Sequence, residues 1–217
     1  QESKFNTVLD KHGYNNTVYP KKHWICSEFN IPRRAFGEYI GSEAAQVNFL
    51  IKTLVSAQMN GMKQMHVYSI ADEKQEIKPE NEFAYMGLFQ NLDKVPAGKA
   101  QPNAIAWAMK TTSELLANTK YSPARTEAMK LPNHVRGAAF RGKQGQFIYV
   151  LWAVTSQDQD ETAEAEYAFP PEFTLKYVEA KPWNYSQSGA HYLMNAKQLK
   201  LTGSPVFLTE SNLTLGL

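Results

Sequence analysis

Glu28 closes the apolar run His23-Trp24-Ile25-Cys26-Ser27-Glu28-Phe29, and a carboxylate at the end of a buried strand can act as a nucleophile or move a proton. Asn30 follows two residues later with an amide that could bind a hydroxyl group, although its closeness to Pro32 also suits an ordinary turn. Arg33 and Arg34 offer guanidinium groups whose geometry matches a carboxylate, or a pair of solvated surface charges. A second concentration of polar chemistry lies at His66, Tyr68, Asp72 and Glu73. Tyr68 combines a ring face with a hydroxyl group and suits either ligand contact or ordinary burial, His66 two residues earlier shares its side if the segment is extended and reads first as a core histidine, and the adjacent acids could bind hydroxyl groups but read first as a solvated loop pair. The single Cys26 has no partner for an internal disulfide, and no cysteine and histidine pattern has zinc spacing.

These residues need elements to hold them. Phe5, Val8, Leu9 and His12 recur at helical spacing before Gly13, so the sequence opens inside a helix with no start signal, as if cut from a longer chain. Residues 22–29 read as a strand apolar on both faces, the pattern of a parallel sheet. Ser42 is an N-cap for a helix running to about Asn60, with Val47, Leu50, Ile51 and Leu54 as its apolar stripe and Gly61 as its stop. Residues 64–70 form a second strand, and Pro102 suits the first turn of a further helix through Leu116. Helix, strand, helix, strand, helix is the order of parallel β/α architecture, in which the C-terminal ends of the strands carry the chemistry. Two strands do not close a barrel, so further strands are expected from elsewhere.

From about His134 the period changes. Residues 135–140, 146–155, 163–169, 173–179, 198–202 and 205–209 are short strand candidates between turn-rich stretches. Gly142-Lys143-Gln144-Gly145 supplies hairpin chemistry, and Phe147-Ile148-Tyr149-Val150-Leu151-Trp152 is apolar on both faces, as a central strand should be. An antiparallel β-sandwich over residues 122–217 is the expected closure, after a first unit over residues 1–121. Tyr149 and Trp152 read as core, whereas Trp183, between Pro182 and Asn184, is the better candidate for a surface ring.

Composition removes several classes of function. The chain has 217 residues, 43% hydrophobic, with 23 basic against 21 acidic side chains, a net charge of +2 and no long run of one sign. Such a balance argues against nucleic acid as a partner, and no apolar stretch approaches the roughly 18 residues of a membrane span. N-x-[ST] sequons at Asn15, Asn184 and Asn212 are compatible with a secreted protein.

Taken together, Ile25-Cys26-Ser27-Glu28-Phe29-Asn30, Met65-His66-Val67-Tyr68-Ser69-Ile70-Ala71-Asp72 and Leu201-Thr202-Gly203-Ser204-Pro205-Val206-Phe207-Leu208 resemble the C-terminal region of clan A glycoside hydrolases. The group related to β-xylosidases and α-iduronidases is the most similar, and the resemblance covers nearly the whole chain. It implies the last strands of a (β/α)₈ TIM barrel followed by an accessory β-domain. Glu28 would be the catalytic nucleophile of a retaining enzyme, with Asn30, His66 and Tyr68 as substrate-binding residues. The acid/base glutamate would lie on the fourth barrel strand, outside this chain, in the same or a companion polypeptide. Related enzymes usually carry tryptophan where Tyr68 stands, a departure that touches the sugar platform.

The resemblance therefore implies hydrolysis of an O-glycosidic bond in a poly- or oligosaccharide, outside the cell or at its surface, with no metal or organic cofactor. The alternative is a non-catalytic extracellular protein that keeps the glycosidase-like fold for carbohydrate binding or a structural role. A third possibility makes the all-β half an independent adhesion module.

Overall fold

A computed structural model describes residues 2–73, 80–93, 95–96, 98–156 and 161–211. The sequon at Asn212 lies outside them.

The first half builds a parallel β/α unit. Helix α1 (Glu2–Lys11) leads through the left-handed Gly13 to strand β1 (Ile25–Phe29). Helix α2 (Glu43–Met59) starts where a capping side chain allows it, since the Ser42 hydroxyl oxygen accepts the Ala45 amide at 3.0 Å. It ends at Asn60 and Gly61, the latter at φ +73°. Strand β2 (Gln64–Val67) returns parallel to β1. Within α2, Val47, Leu50, Ile51 and Val55 are buried and Leu54 is partly so.

Strand β1 departs from its expected burial on both faces. Ile25 is 56% exposed, and Ser27 and Glu28 are exposed as well. Among the described residues β1 pairs only with β2, so its apolar pattern is half covered.

Helix α3 (Ala104–Leu116) begins one turn position later than Pro102 suggested, with Asn103 as N-cap. Among the described residues, the long segment between β2 and α3 contains one 3₁₀ turn (Glu82–Tyr85). Strand β3 (Lys120–Tyr121) and the short helix α4 (Pro123–Ala128) then lead into the antiparallel strands.

Six strands form one antiparallel sheet in the order β3, β4 (Val135–Arg141), β5 (Phe147–Ala153), β10 (Val206–Glu210), β7 (Tyr177–Lys181), β8 (Tyr192–Asn195). A two-stranded antiparallel sheet joins β6 (Glu164–Tyr167) and β9 (Leu199–Thr202), and α5 (Tyr185–Ser188) precedes β8. The β4–β5 hairpin turns at Gly142–Gly145, where the Gly142 amide donates to the Gln146 carbonyl and Gly145 sits at φ +88°.

The central sheet is buried on both faces, and alternation decides which residue serves which side. Val135, Ala139, Tyr149, Leu151, Ala153, Val206 and Leu208 pack toward β6 and β9. Ala138, Phe140, Ile148, Val150 and Phe207 instead join Val47, Leu50, Ile51, Val55, Ile105 and Ala108 of α2 and α3 in a second apolar cluster. Helices from the first half thus cover one face of a sheet from the second.

Candidate active site

The parallel pairing of β1 and β2 places two chain reversals side by side at the strands' C-terminal ends. Register sets Cys26 opposite Met65 and Phe29 opposite Val67, so β1 takes three steps where β2 takes two. The extra residue falls at Ser27–Glu28. A bulge of this kind re-aims side chains and is common beside active sites. Glu28 is exposed there, with the Cys26 thiol donating to its main-chain carbonyl at 3.3 Å.

Tyr68 stands directly beyond β2. Its amide donates to the Phe29 carbonyl at 3.1 Å, extending the ladder past the strand, and its peptide bond to Ser69 is cis. The phenol donates to Glu73 Oε1. That bond, assisted by partial burial and by the charges of Glu73 and Glu28, raises the Tyr68 pKa. Phe83, from the 3₁₀ turn, meets the Tyr68 ring edge-on with centroids 5.5 Å apart and an interplanar angle of 72°. Its ring remains 41% exposed.

Asn30 joins this arrangement from behind. Its side-chain amide donates to the carbonyls of Tyr68 at 2.5 Å and Met86 at 2.7 Å, and its oxygen accepts the Ile31 amide at 2.8 Å. Asn30 thus holds the loop after β1 against the two segments that carry Tyr68 and Phe83. His66 lies in β2, exposed between the inward-turning Met65 and Val67.

Beneath the loops is a buried polar network. Arg33 Nη1 meets Asp72 Oδ1 at 2.7 Å, the two side chains being 7% and 3% exposed. The same carboxylate accepts the Gly87 amide at 2.8 Å and the Asn103 amide at 3.2 Å. Gln46 of α2 donates to the carbonyls of Ile31 and Tyr85. Gly87 is required by close approach, since a Cβ there would lie 2.0 Å from the Asp72 nitrogen. Sequence reasoning read Arg33 and Asp72 as solvated or ligand-facing; the fold joins them as an internal brace instead. Asp72's neighbour Glu73 remains exposed and reaches Tyr68.

Trp152 and Trp183 are partly buried and pack against the helix-side cluster, and Tyr149 is fully buried. Among the described residues, no three histidine, cysteine, aspartate or glutamate side chains gather as a metal site would require. A surface hollow lies elsewhere among the described residues, between Phe169, Pro171, Leu175, Tyr177 and Asn195. Glu28 itself is exposed at the end of β1.

No protein-family model and no curated protein matches the sequence. Solved structures do. A family 39 glycoside hydrolase from the gut symbiont Bacteroides cellulosilyticus WH2 superposes with a TM-score of 0.65 at 18% identity, covering 94% of this chain and 37% of that one. A GH51 arabinofuranosidase from Xanthomonas axonopodis pv. citri gives 0.50 at 12% identity, covering 95% and 45%. The chain shares the fold of these glycoside hydrolases over the part it covers. A conserved exported protein from Bacteroides fragilis gives 0.51 at 8% identity, covering 94% and 42%. The chain spans less than half the length of each. The two glycoside hydrolases are TIM-barrel enzymes, and the β1–α2–β2 unit is consistent with part of such a barrel. Among the described residues, no helix is long and apolar enough to cross a membrane.

Phe83 and the Asp72 brace escaped sequence reasoning. An aromatic ring among carboxylates, Glu80-Asn81-Glu82-Phe83, was a usable signal for the first. Nothing local signals a pair separated by 39 positions.

Proposed function

We propose that this chain is the nucleophile-bearing part of a retaining glycoside hydrolase. The observation that carries the reading is the placement of Glu28 at a bulge on the C-terminal end of a parallel strand, next to Tyr68, whose amide bonds the Phe29 carbonyl just past the end of the neighbouring strand. In a retaining mechanism the Glu28 carboxylate attacks the anomeric carbon while a second carboxyl group, about 5 Å away, protonates the departing oxygen. Water, deprotonated by that second group, then releases the sugar and regenerates Glu28. The second carboxyl group comes from barrel strands beyond this chain.

Tyr68 lies beside the sugar ring, its hydroxyl oriented by Glu73. Asn30 acts by fixing the Tyr68 loop, and His66 lines the approach along β2. Residues 1–121 belong with the barrel, while residues 122–217 form a β-sandwich that braces it through the shared helix-side cluster. The natural setting is extracellular, where polymeric glycans are met.

Product stereochemistry tests the proposal. With full-length protein and an aryl glycoside, proton NMR of the first-formed sugar should show the anomer of the substrate, and E28A should lose turnover but recover it partly when azide is added. An inverted first product, or an E28A variant as active as the wild type, would overturn the retaining reading. Sugar binding without turnover would leave a non-catalytic recognition protein.

A further inference from the structure

The segment between β2 and α3 brings Phe83, an aromatic ring flanked by carboxylates in the sequence, against Tyr68. Its neighbours on the 3₁₀ turn, Ala84 and Tyr85, are buried, whereas the Phe83 ring is 41% exposed and touches Tyr68 edge-on. The turn is not free to wander. The Arg33 amide donates to the Tyr85 carbonyl, Gln46 donates to the same oxygen, and the Ser69 amide donates to Met86. Asn30 donates to Met86 as well. An exposed ring held by so many backbone contacts is a positioned surface, and together with Tyr68 it makes an aromatic corner beside Glu28.

The chemistry of the described residues around that corner restricts what could occupy it. Glu28 and Glu73 are both exposed carboxylates, and Glu73 is fixed on the Tyr68 hydroxyl. Glu82 adjoins Phe83 in the sequence. Arg33, the guanidinium that could have matched an acidic sugar, is buried against Asp72. The other guanidinium, Arg34, is exposed and follows Arg33 in the loop after β1. A sugar acid would bring a further negative charge to exposed carboxylates, which costs binding free energy. A neutral ring instead offers C–H faces to the two aromatic rings and hydroxyl groups to the carboxylates.

We infer that Phe83 and Tyr68 together form the stacking corner of the Glu28 site and that the corner selects a neutral glycoside over a uronide. This rests on the proposed glycosidase reading for its catalytic consequence but not for binding.

The test measures both in the full-length protein. Turnover is followed with aryl xyloside, arabinoside, glucoside and glucuronide, and binding by calorimetry with the matching neutral oligosaccharides and oligouronides. F83A should raise KM, and weaken calorimetric binding, about five- to tenfold for the neutral ligands, the scale of one lost aromatic contact. Its kcat should change little, F83Y should restore KM, and the melting temperature should hold because the ring is half in solvent. An unchanged KM and affinity in F83A, or a wild-type protein that prefers the uronide, would overturn the inference. If R34A removed such a uronide preference, Arg34 would be its source. Wild-type binding of neutral glycans that depends on Phe83, without turnover, would keep the corner and discard the hydrolase. Turnover that is indifferent to Phe83 would do the reverse, and a protein that neither binds nor cleaves would remove both.

Discussion

At the residue scale, the site is a thin exposed layer supported by buried polar groups. Glu28, Glu73 and Phe83 face solvent, while the Asp72 carboxylate sits under them accepting from Arg33, Gly87 and Asn103. Removing one partner of a buried ion pair strands the other charge, so D72A should lower stability by about 3 kcal/mol or more. Urea denaturation would measure it, and an unchanged midpoint would show that the brace contributes nothing. The buried phenols make a pH prediction. Burial raises the Tyr149 pKa, with added help from its bond to Glu210 against the opposing effect of Arg125; burial and the charge of Glu172 raise that of Tyr167. The folded chain then keeps two protons that the unfolded chain releases above about pH 10. Stability from these groups is full below that pH and declines above it, by about 1.4 kcal/mol per pH unit for each phenol. Urea midpoints taken between pH 9 and pH 11 should fall accordingly, and less steeply in Y149F. The placement of Glu28 and His66 in strands, and of Tyr68 just past one, was legible in the sequence because each ends or lies within a short apolar run. The Arg33–Asp72 pairing was not, since a doublet of arginines and a doublet of acids look alike whether solvated or buried.

Elements were legible where local chemistry determines them. Helix α2 runs between Ser42 and Asn60 as expected because an N-cap and a left-handed glycine mark its ends. S42A should cost about 1 kcal/mol by removing the oxygen that accepts the Ala45 amide, and a loss well under half of that would show the cap to be replaceable by water. Short apolar runs between turn-rich stretches located β4, β5 and β10, and the doubly apolar β5 does lie inside the sheet, between β4 and β10. Strand β7 shows what alternation misses. The expected start at Phe173 falls instead in a 3₁₀ turn, because Pro170 and Pro171 deny the ladder its amide donors, and the strand begins at Tyr177. Strand β3 escaped notice because two residues give no period to recognise, and β8 because its residues do not alternate between buried and exposed.

For the whole molecule, the change of period from about His134 suggested two units divided at residue 121, and Phe140, Val150 and Phe207 of the sheet share a core with Leu50, Ile51 and Ile105 of the helices. Which face of a doubly apolar strand meets which partner is a tertiary matter, invisible in the pattern of the strand. Phe207 is fully buried at that seam, so F207A should cost about 3–5 kcal/mol. Tryptophan fluorescence and far-ultraviolet dichroism should still report one shared urea transition, and two separate transitions would mean that the halves fold independently.

The central claim is that Glu28 forms a covalent bond to the sugar. Full-length protein incubated with a 2-deoxy-2-fluoroglycosyl fluoride should stall as a glycosyl-enzyme ester. Peptide mass mapping should then place one added fluorosugar on the peptide containing Ile25-Cys26-Ser27-Glu28-Phe29. A fluorosugar on a different carboxylate, or an active enzyme that accumulates no adduct while it inverts its product, would contradict the account.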